Sequence, residues 1–186
     1  MTAEGKGLVM RADSAQPTFR GVDHLALTVT DVARSRRFYV EVLGFTAVLE
    51  SEDSVLCVHK GTAFTLGLVR HPQGSAEPFS HLRTGLDHLG LVAADRAELE
   101  AWAHRLREYG VGCSEITDET LGHHLNLRDP DGIALELYAP NARYAAARAE
   151  LRTRSFTDDE LRAKAAELLG LDDPANAGAP VRVASA

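Results

Sequence analysis

The spacing of apolar residues changes along the chain, and each change marks a different kind of element. Phe38 and Val42 recur at helical spacing within residues 32–43, and Gly44 supplies a stop. A second helix is predicted from an apolar stripe of residues spaced three and four apart, namely Leu99, Trp102, Leu106 and Tyr109. After each helix the period becomes two, which predicts strands at 46–50, 55–60, 63–69, 123–128 and 133–139.

The chain also repeats itself. GVDHLALTVTD at 21–31 matches GLDHLGLVAAD at 85–95 with a constant offset of 64 residues, which indicates a duplication. Each half is predicted to run β-α-β-β-β, and the tight turn Asp129-Pro130-Asp131-Gly132 joins the last two strands. The prediction is an α+β fold of two modules, 18–71 and 85–140, with a linker at 72–84.

The two ends of the chain differ from this repeated part. Residues 1–17 are polar without periodicity, and residues 172–186 are rich in Ala, Pro and Gly, so both are predicted to be flexible arms. Residues 141–171 are predicted to form a helical extension, because Thr157 and Glu160 have the spacing of a capping box. We interpret this extension as a packing or dimerisation surface.

Composition excludes several classes of function. The 186 residues are 45% hydrophobic and 25% charged, as expected of a globular domain. The net charge of −7 and the lack of a basic run argue against nucleic acid as a partner. No apolar stretch approaches the ~20 residues of a membrane span, and no signal core opens the chain, so a cytoplasmic protein is expected. Cys57 and Cys113 are the only cysteines, so a metal would be held by His and carboxylate.

Three residues are candidates for such a metal site. His24 and His88 occupy equivalent positions in the repeat, and pairing of the two first strands would bring both imidazoles together. Glu136 lies in an otherwise apolar strand, where a carboxylate is costly unless it is paired or binds a cation. Two histidines and one carboxylate form the facial set of non-haem Fe(II) centres, although some zinc sites use the same ligands. Each residue taken alone is better explained as a hydrogen-bonded core residue or an exposed polar one, and it is their coincidence that favours a metal site.

Four segments together resemble the vicinal oxygen chelate superfamily, which includes glyoxalases, bleomycin-resistance proteins and extradiol dioxygenases. They are GVDHLALTV, RFYVEVLGF, GLDHLGLV and LRDPDGIALELY, and the resemblance covers about residues 18–140. It implies paired βαβββ modules that form a cup-shaped mixed sheet around a divalent metal. It also implies that His24, His88 and Glu136 are the metal ligands.

Departures from the family pattern narrow the chemistry that the resemblance implies. Glyoxalase I and the epimerases take a fourth ligand from the last strand of the first module, and residues 64–69 contain no Glu, Gln, Asp or His. A three-ligand centre remains, as in extradiol dioxygenases and fosfomycin-inactivating enzymes. The latter surround a phosphonate with basic groups, and this chain has three lysines, Lys6, Lys60 and Lys164, so that interpretation is weakened.

The pocket is expected to differ from that of many relatives, since Asn126 stands where they carry a tyrosine ten residues before the final carboxylate. Strand alternation puts His124 on the face of Asn126, as a general acid-base group or a structural histidine. Tyr138 shares the parity of Glu136 and lines either the pocket or the core. His59 is a weaker candidate for the substrate site.

The leading hypothesis is an extradiol-type, ring-cleaving dioxygenase that acts on a small catecholic substrate. It would use Fe(II), with Mn, Zn, Ni or Co as other possible metals. One alternative is a glyoxalase-like lyase or isomerase that uses the metal as a Lewis acid. Another is a metal-free drug-binding resistance protein. The sequence leaves the oligomeric state open, with a homodimer as one assembly that it allows.

Overall fold

The computed structural model describes residues 19–171, and its first module is a four-stranded mixed sheet with one helical segment. Its strands are β1 His24–Thr28, β2 Thr46–Glu50, β3 Ser54–His59 and β4 Phe64–Val69. They lie in the order β1-β4-β3-β2, with β1 parallel to β4 and the other pairs antiparallel. Helix α1, Val32–Arg37, continues directly into a π-helical turn, Phe38–Val42.

The second module repeats this topology, so the predicted α+β fold with two β-α-β-β-β units is confirmed. Its elements are β5 Leu89–Val92, α2 Arg96–Glu108, β6 Thr117–Glu119, β7 Gly122–Arg128 and β8 Ala134–Pro140. The strand order is β5-β8-β7-β6, with β5 parallel to β8. The short strand β6 lies outside the strand ranges predicted from the sequence because its three residues are polar and exposed.

The first helix begins where the sequence predicts and changes its winding before it ends. The Asp31 carboxylate accepts the Arg34 backbone N–H and caps the first turn. From Phe38 onward the backbone winds as a π-helix, and the Leu43 N–H donates to the Phe38 carbonyl at 3.2 Å. Gly44 then ends the element with a φ of 79°, a conformation that glycine adopts without a steric penalty.

The core of each module lies between its sheet and its helix. In α2 the buried residues are Leu99, Ala103 and Leu106, whereas Tyr109 remains 47% exposed. The predicted apolar stripe is therefore correct at its centre and wrong at Tyr109, which lies beyond the last helical residue. Arg105 reaches across to the first module, where its Nε donates to the Val42 carbonyl at 2.7 Å.

The Asp129–Gly132 turn joins the two modules to each other. Asp131 accepts hydrogen bonds from the side chains of Thr30 and Arg34, both in the first module. Asp129 accepts the buried Tyr39 hydroxyl at 3.1 Å. Gly132 has the predicted left-handed conformation, with a φ of 81°. The two aspartates of the turn therefore connect the second module to α1 and the π-helical turn.

The two sheets do not merge within the chain. Among residues 19–171, β1 is hydrogen-bonded as a strand to β4 alone, and β5 to β8 alone. The pairing of the two first strands, on which the predicted meeting of His24 and His88 depends, is therefore not present within these residues. The modules instead pack through α1, α2 and the Asp129–Gly132 turn, so within residues 19–171 one edge of β1 and one edge of β5 have no strand partner.

The C-terminal extension forms two helices, α3 Ala142–Leu151 and α4 Asp158–Leu169. The predicted capping box is present, since Thr157 and Glu160 exchange side-chain and backbone hydrogen bonds. Tyr144 of α3 contacts Tyr138 of β8 edge-on, with ring centroids 6.0 Å apart. The predicted arms, 1–17 and 172–186, lie outside the described residues. Between residues 19 and 171 no helix combines the length and apolar character that crossing a bilayer requires.

Candidate metal centre

Glu136 lies on the central one of three neighbouring strands of the second sheet. The register of the sheet places Gly90 of β5 on one side of Glu136 and Asn126 of β7 on the other. Directly paired residues project from the same face, so Glu136 shares its face with Asn126 and with His124 two residues earlier. The opposite face carries Leu135 and Leu137, which are buried in the core.

His88 lies close enough to Glu136 for both side chains to reach one ion. Its Nε2 lies 3.8 Å from Glu136 Oε2, and both side chains are mostly buried, at 20% and 10% exposure. Divalent ions bind such atoms at about 2.1 Å, so two ligands of one ion lie at most about 4.2 Å apart. The other ring nitrogen, Nδ1, lies 2.7 Å from Asp87 Oδ1. Asp87 therefore orients the ring and leaves Nε2 free, as carboxylates do behind metal-binding histidines.

His24 has the same local arrangement at the equivalent position of the first module. Its Nδ1 lies 2.9 Å from Asp23 Oδ2, so Nε2 is again the free nitrogen, but its side chain is 60% exposed. The chain does not bring His24 into the cluster of His88 and Glu136. Over the described residues, no group of three His, Cys, Asp or Glu side chains is arranged to hold a metal ion.

His124 contacts Glu136 directly and is buried, and it lies on the face of Asn126 as strand alternation predicts. Its Nδ1 lies 2.5 Å from Glu136 Oε1, while its Nε2 lies 3.9 Å from Glu119 Oε2. The Tyr138 ring lies against the imidazole, with centroids 4.7 Å apart. The Tyr138 hydroxyl donates to the Leu121 carbonyl at 2.7 Å, and desolvation raises the pKa of Tyr138 to about 12. Tyr138 therefore fixes the position of the His124 ring.

His123, one residue earlier, projects from the other face. Its Nδ1 lies 2.6 Å from Asp118 Oδ1, and Asp118 also accepts from Arg96. The hydrogen bond from His123 lowers the pKa of the exposed Asp118 carboxyl. Neighbouring histidines on β7 thus have separate surroundings, and His123 has no contact with Glu136.

Asn126 keeps one end of its amide without a partner. Its Oδ1 is buried and accepts no hydrogen bond from the described part of the chain. A cavity of about 320 Å³ lies beside it, lined by Gly112, Cys113, Ser114, Asn126, Leu127 and Arg128. A buried acceptor without a donor is unfavourable, so a ligand that offers a hydroxyl or N–H would relieve this cost.

His59 is not brought to this cluster. It pairs with Phe64 at the end of β3, which places it on the core side of the first sheet, opposite the face of His24. Its Nδ1 lies 2.9 Å from the Thr62 hydroxyl, and its ring packs against Phe45. The structure therefore places His59 on the face that packs against the first module's own core, away from His88 and Glu136.

Gly67 stands in the first module where Glu136 stands in the second. Gly67 pairs with Ala26, just as Glu136 pairs with Gly90, and Ala26 and Gly90 are equivalent in the repeat. The sequence excluded a fourth ligand from residues 64–69 without fixing a register. The register identifies Gly67 as the residue of β4 that is equivalent to Glu136 and would have to supply a fourth ligand.

Sequence reasoning missed the residues that orient the candidate ligands. Asp23 and Asp87 each precede a histidine in the repeat, so the repeated Asp-His pair is a signal that could have identified them. The hydrogen bond to His88 lowers the pKa of Asp87. Glu119 was also missed, and no sequence signal marks it, because it lies in the short polar strand β6.

Known proteins similar to this chain share the two-module part. A sequence model of the Glyoxalase/Bleomycin resistance protein/Dioxygenase superfamily matches residues 21–137. A catechol-2,3-dioxygenase from Bacillus subtilis is 30% identical over 122 residues, which are 66% of this chain and 42% of that enzyme. The chain thus spans less than half the length of this relative. A metallothiol transferase from Staphylococcus haemolyticus is 26% identical over 121 residues, 64% of this chain and 83% of the transferase.

Solved structures agree with these sequence matches. A glyoxylase/bleomycin resistance protein/dioxygenase domain from Frankia sp. superimposes with a TM-score of 0.61 at 29% identity. The superposition covers 67% of this chain and 100% of that domain. The sequence match to the superfamily ends at residue 137, before α3 begins.

Proposed function

The chain belongs to the Glyoxalase/Bleomycin resistance protein/Dioxygenase superfamily, and we propose that it is a divalent-metal-dependent, ring-cleaving dioxygenase for a small catecholic substrate. The observation that carries this proposal is the pair of mostly buried groups formed by His88 Nε2 and Glu136 Oε2, 3.8 Å apart. Members of this superfamily are mostly metal-dependent enzymes, and the similarity to a catechol-2,3-dioxygenase supports ring cleavage as the reaction.

His24 is the third proposed ligand, and it would come from a second copy of the chain. His24 has its Nδ1 tied to Asp23 as His88 has its Nδ1 tied to Asp87, and both lie at the unpaired edge of their sheets. Val22 and Val92, next to these edges, are 82% and 59% exposed. Pairing β1 of one copy with β5 of another about a twofold axis would cover both edges and complete two identical sites.

The donor set fits a divalent ion, because two neutral imidazoles and one carboxylate are common ligands of Fe(II) and of Zn. When bound, the metal would supply open coordination positions for the two adjacent oxygens of a diol and for dioxygen. We favour Fe(II) among Fe, Mn, Zn, Ni and Co, because Gly67 has no side chain that could act as a fourth protein ligand.

The residues around this centre have separable roles. The His124 Nδ1–H donates to Glu136 and holds the carboxylate towards His88, which leaves His124 Nε2 as a proton acceptor. We propose that Nε2 takes a proton from the substrate hydroxyl and later returns it. Tyr138 orients the His124 ring, and the unpartnered Asn126 Oδ1 accepts a hydrogen bond from the substrate.

A glyoxalase-like lyase or isomerase would use the same ligands with the metal as a Lewis acid. Gly67 argues against it, since glyoxalase I and the epimerases carry their fourth ligand on that strand. A metal-free binding protein is disfavoured by the two Asp-His pairs, because such orientation of imidazoles serves metal binding.

Oxygen uptake tests the proposal. Purified protein loaded anaerobically with Fe(II) is expected to consume oxygen when at least one member of a panel of catechols is added. The ring-opened product is expected to absorb in the visible range. Zn-loaded protein serves as the redox-inactive control. If fully loaded iron protein consumes no oxygen with any diol, the assignment as a dioxygenase is wrong.

A further inference from the structure

Helix α3 of the C-terminal extension contacts the modules beside His124. Among residues 19–171, the hydrogen bonds and ring contacts that join the extension to the modules are made by Asn141 and Tyr144. We propose that Tyr144 is a positioning residue, which holds the His124 ring in place through Tyr138. The inference rests on the proposed function, because it takes His124 as the group that moves the substrate proton. It goes further by assigning a role in the site to a helix that lies beyond the part matched by the superfamily model.

The extension contributes little to the hydrophobic core. Within the described part of the chain, Ala147 is the buried residue of α3, and α4 has none. Ion pairs such as that of Lys164 with Glu150, at 2.6 Å, connect the two helices to each other and not to the modules. The contacts of the extension with the modules are instead specific and converge at one place, the surroundings of His124.

Asn141 connects the start of α3 to the turn that precedes β7. Its Oδ1 accepts the Tyr144 backbone N–H at 2.9 Å and so caps the helix. Its Nδ2 donates to the Thr120 carbonyl at 2.9 Å, and its backbone N–H donates to the Leu121 carbonyl at 2.8 Å. The same Leu121 carbonyl accepts the Tyr138 hydroxyl at 2.7 Å. The start of α3 and the Tyr138 side chain are therefore tied to the same turn.

The hydrogen bond at its hydroxyl does not fix the plane of the Tyr138 ring. The hydroxyl oxygen lies on the axis of rotation about the Cβ–Cγ bond, so the ring can turn while the bond to Leu121 is kept, and this torsion is broad. Packing must therefore set the plane. The Tyr144 ring packs against Tyr138 edge-on, with centroids 6.0 Å apart and an interplanar angle of 66°, as in favourable aromatic pairs. The Arg148 guanidinium lies 5.8 Å from the centroid of the Tyr144 ring and covers that ring in turn.

The plane of the Tyr138 ring affects His124 because the two rings are in contact, with centroids 4.7 Å apart. The imidazole is hydrogen-bonded at one nitrogen, from Nδ1 to Glu136, whereas Nε2 lies 3.9 Å from Glu119 Oε2, which is beyond hydrogen-bond distance. One hydrogen bond leaves the imidazole free to swing about that bond. Tyr138, held by Tyr144, limits this motion and keeps Nε2 directed to where the substrate hydroxyl is proposed to bind.

Hydrogen exchange at His124 Nδ1 tests the inference without turnover. In protein labelled with 15N-histidine, the Nδ1 proton that is hydrogen-bonded to Glu136 is expected to give a downfield NMR resonance, which His124→Ala identifies by its loss. Tyr144→Ala is expected to speed the exchange of this proton with water about tenfold. Tyr144→Phe, which keeps the ring, is expected to retain the wild-type rate. The control Leu151→Ala, which shortens an exposed side chain at the other end of α3, is expected to retain it as well.

Steady-state kinetics of the iron-loaded protein gives a second measurement. Tyr144→Ala is expected to lower kcat about tenfold while KM for the diol stays unchanged, because Tyr144 acts on the group that moves the proton and not on the groups that bind the diol. If circular dichroism shows that Tyr144→Ala does not fold, Tyr144→Leu, which keeps an apolar side chain without the ring, replaces it with the same expectations.

The outcomes separate this inference from the proposed reaction. Faster exchange in Tyr144→Ala, with the wild-type rate in Tyr144→Phe and Leu151→Ala, supports the positioning role even if iron-loaded protein consumes no oxygen with any diol. An unchanged rate in Tyr144→Ala, an equally fast rate in Tyr144→Phe or Leu151→Ala, or the absence of a resonance that depends on His124 would each overturn it. Oxygen uptake with an unchanged kcat in Tyr144→Ala would leave the dioxygenase assignment intact and reject the positioning role.

Discussion

The assignment of His24 to a site shared between two chains makes a prediction that only mixed dimers can test. His24→Ala removes one proposed ligand, and Glu136→Gln removes the carboxylate while keeping the shape of the side chain. If each site combines His24 of one copy with His88 and Glu136 of the other, a heterodimer of these two variants contains one site with both lesions and one intact site. If all three ligands come from one chain, the same heterodimer contains no intact site.

The magnitude follows from counting sites. Wild-type dimers are expected to bind two divalent ions tightly, the heterodimer about one, and either variant homodimer none at the same affinity. The two variants are co-expressed with different affinity tags, and the heterodimer is isolated by sequential purification. Titration with Co(II) or Zn(II) against a chromophoric chelator gives the number of tight sites. Size-exclusion chromatography of the same samples shows whether a dimer forms.

The reciprocal heterodimer is the matched control. A chain that carries both His24→Ala and Glu136→Gln, paired with a wild-type chain, has one lesion in each shared site and so is expected to hold no tight site. Sites within single chains would give one. The reversed result, with none in the first heterodimer and one in the second, would refute the shared site. A monomer with three converging ligands would refute it as well.

Three further predictions concern single residues. Glu136→Gln is expected to weaken Zn(II) binding at least ~100-fold, about 2.7 kcal/mol, because it removes a proposed ligand. Competition with a chelator measures the affinity, and an equal loss in the control variant Glu108→Gln, at an exposed position, would contradict the prediction. His124→Ala is expected to abolish turnover and to weaken metal binding about tenfold, because Glu136 loses the side chain that orients it. His123→Ala, on the other face of β7, is expected to leave both turnover and metal binding intact. Steady-state kinetics measures the difference, and retained turnover in His124→Ala would mean that His124 has only a structural role. Tyr39→Phe is expected to lower the free energy of unfolding by about 1–3 kcal/mol, because the buried Asp129 carboxylate loses the hydroxyl that donates to it at 3.1 Å. Urea denaturation measures this loss, with the exposed Tyr109→Phe as the control variant. Equal midpoints for the two variants would refute the prediction.

The strands and helices of each module could be predicted from the sequence because the spacing of apolar residues that marks them is local. Alternation and helical spacing depend on neighbours within a few residues, so strands β2, β4 and β8 were predicted to within one residue at either end. Strand alternation put His124 on the face of Asn126 and His123 on the other face, and in the structure His124 contacts Glu136 whereas His123 contacts Asp118. Strand β6 escaped because it buries no side chain and therefore leaves no pattern.

The relation between the modules could not be obtained in the same way. Tyr39, Arg105 and Asp131 carry the contacts that join the halves, and each has an ordinary local explanation as a core, solvent-facing or turn residue. Their partners lie 63 to 101 residues away along the chain. A repeat predicts that two units are equivalent, but it does not state whether their equivalent edges meet within one chain or between two. The sequence therefore predicts the two modules correctly, but it does not determine whether β1 and β5 meet within one chain.

The duplication also explains why both modules supply an imidazole to the proposed site whereas one module supplies its carboxylate. Both modules keep an Asp-His pair at the start of their first strand, so two copies of one arrangement supply the nitrogen ligands. At the paired positions on the last strands, one module has Glu136 and the other Gly67. Packing does not require glycine there, because a β-carbon at Gly67 would lie at an ordinary 3.5 Å from Ala26 Cβ. The absence of a side chain at Gly67 is thus a chemical difference between the modules, and it leaves on one side of the proposed centre the room that a chelating substrate needs.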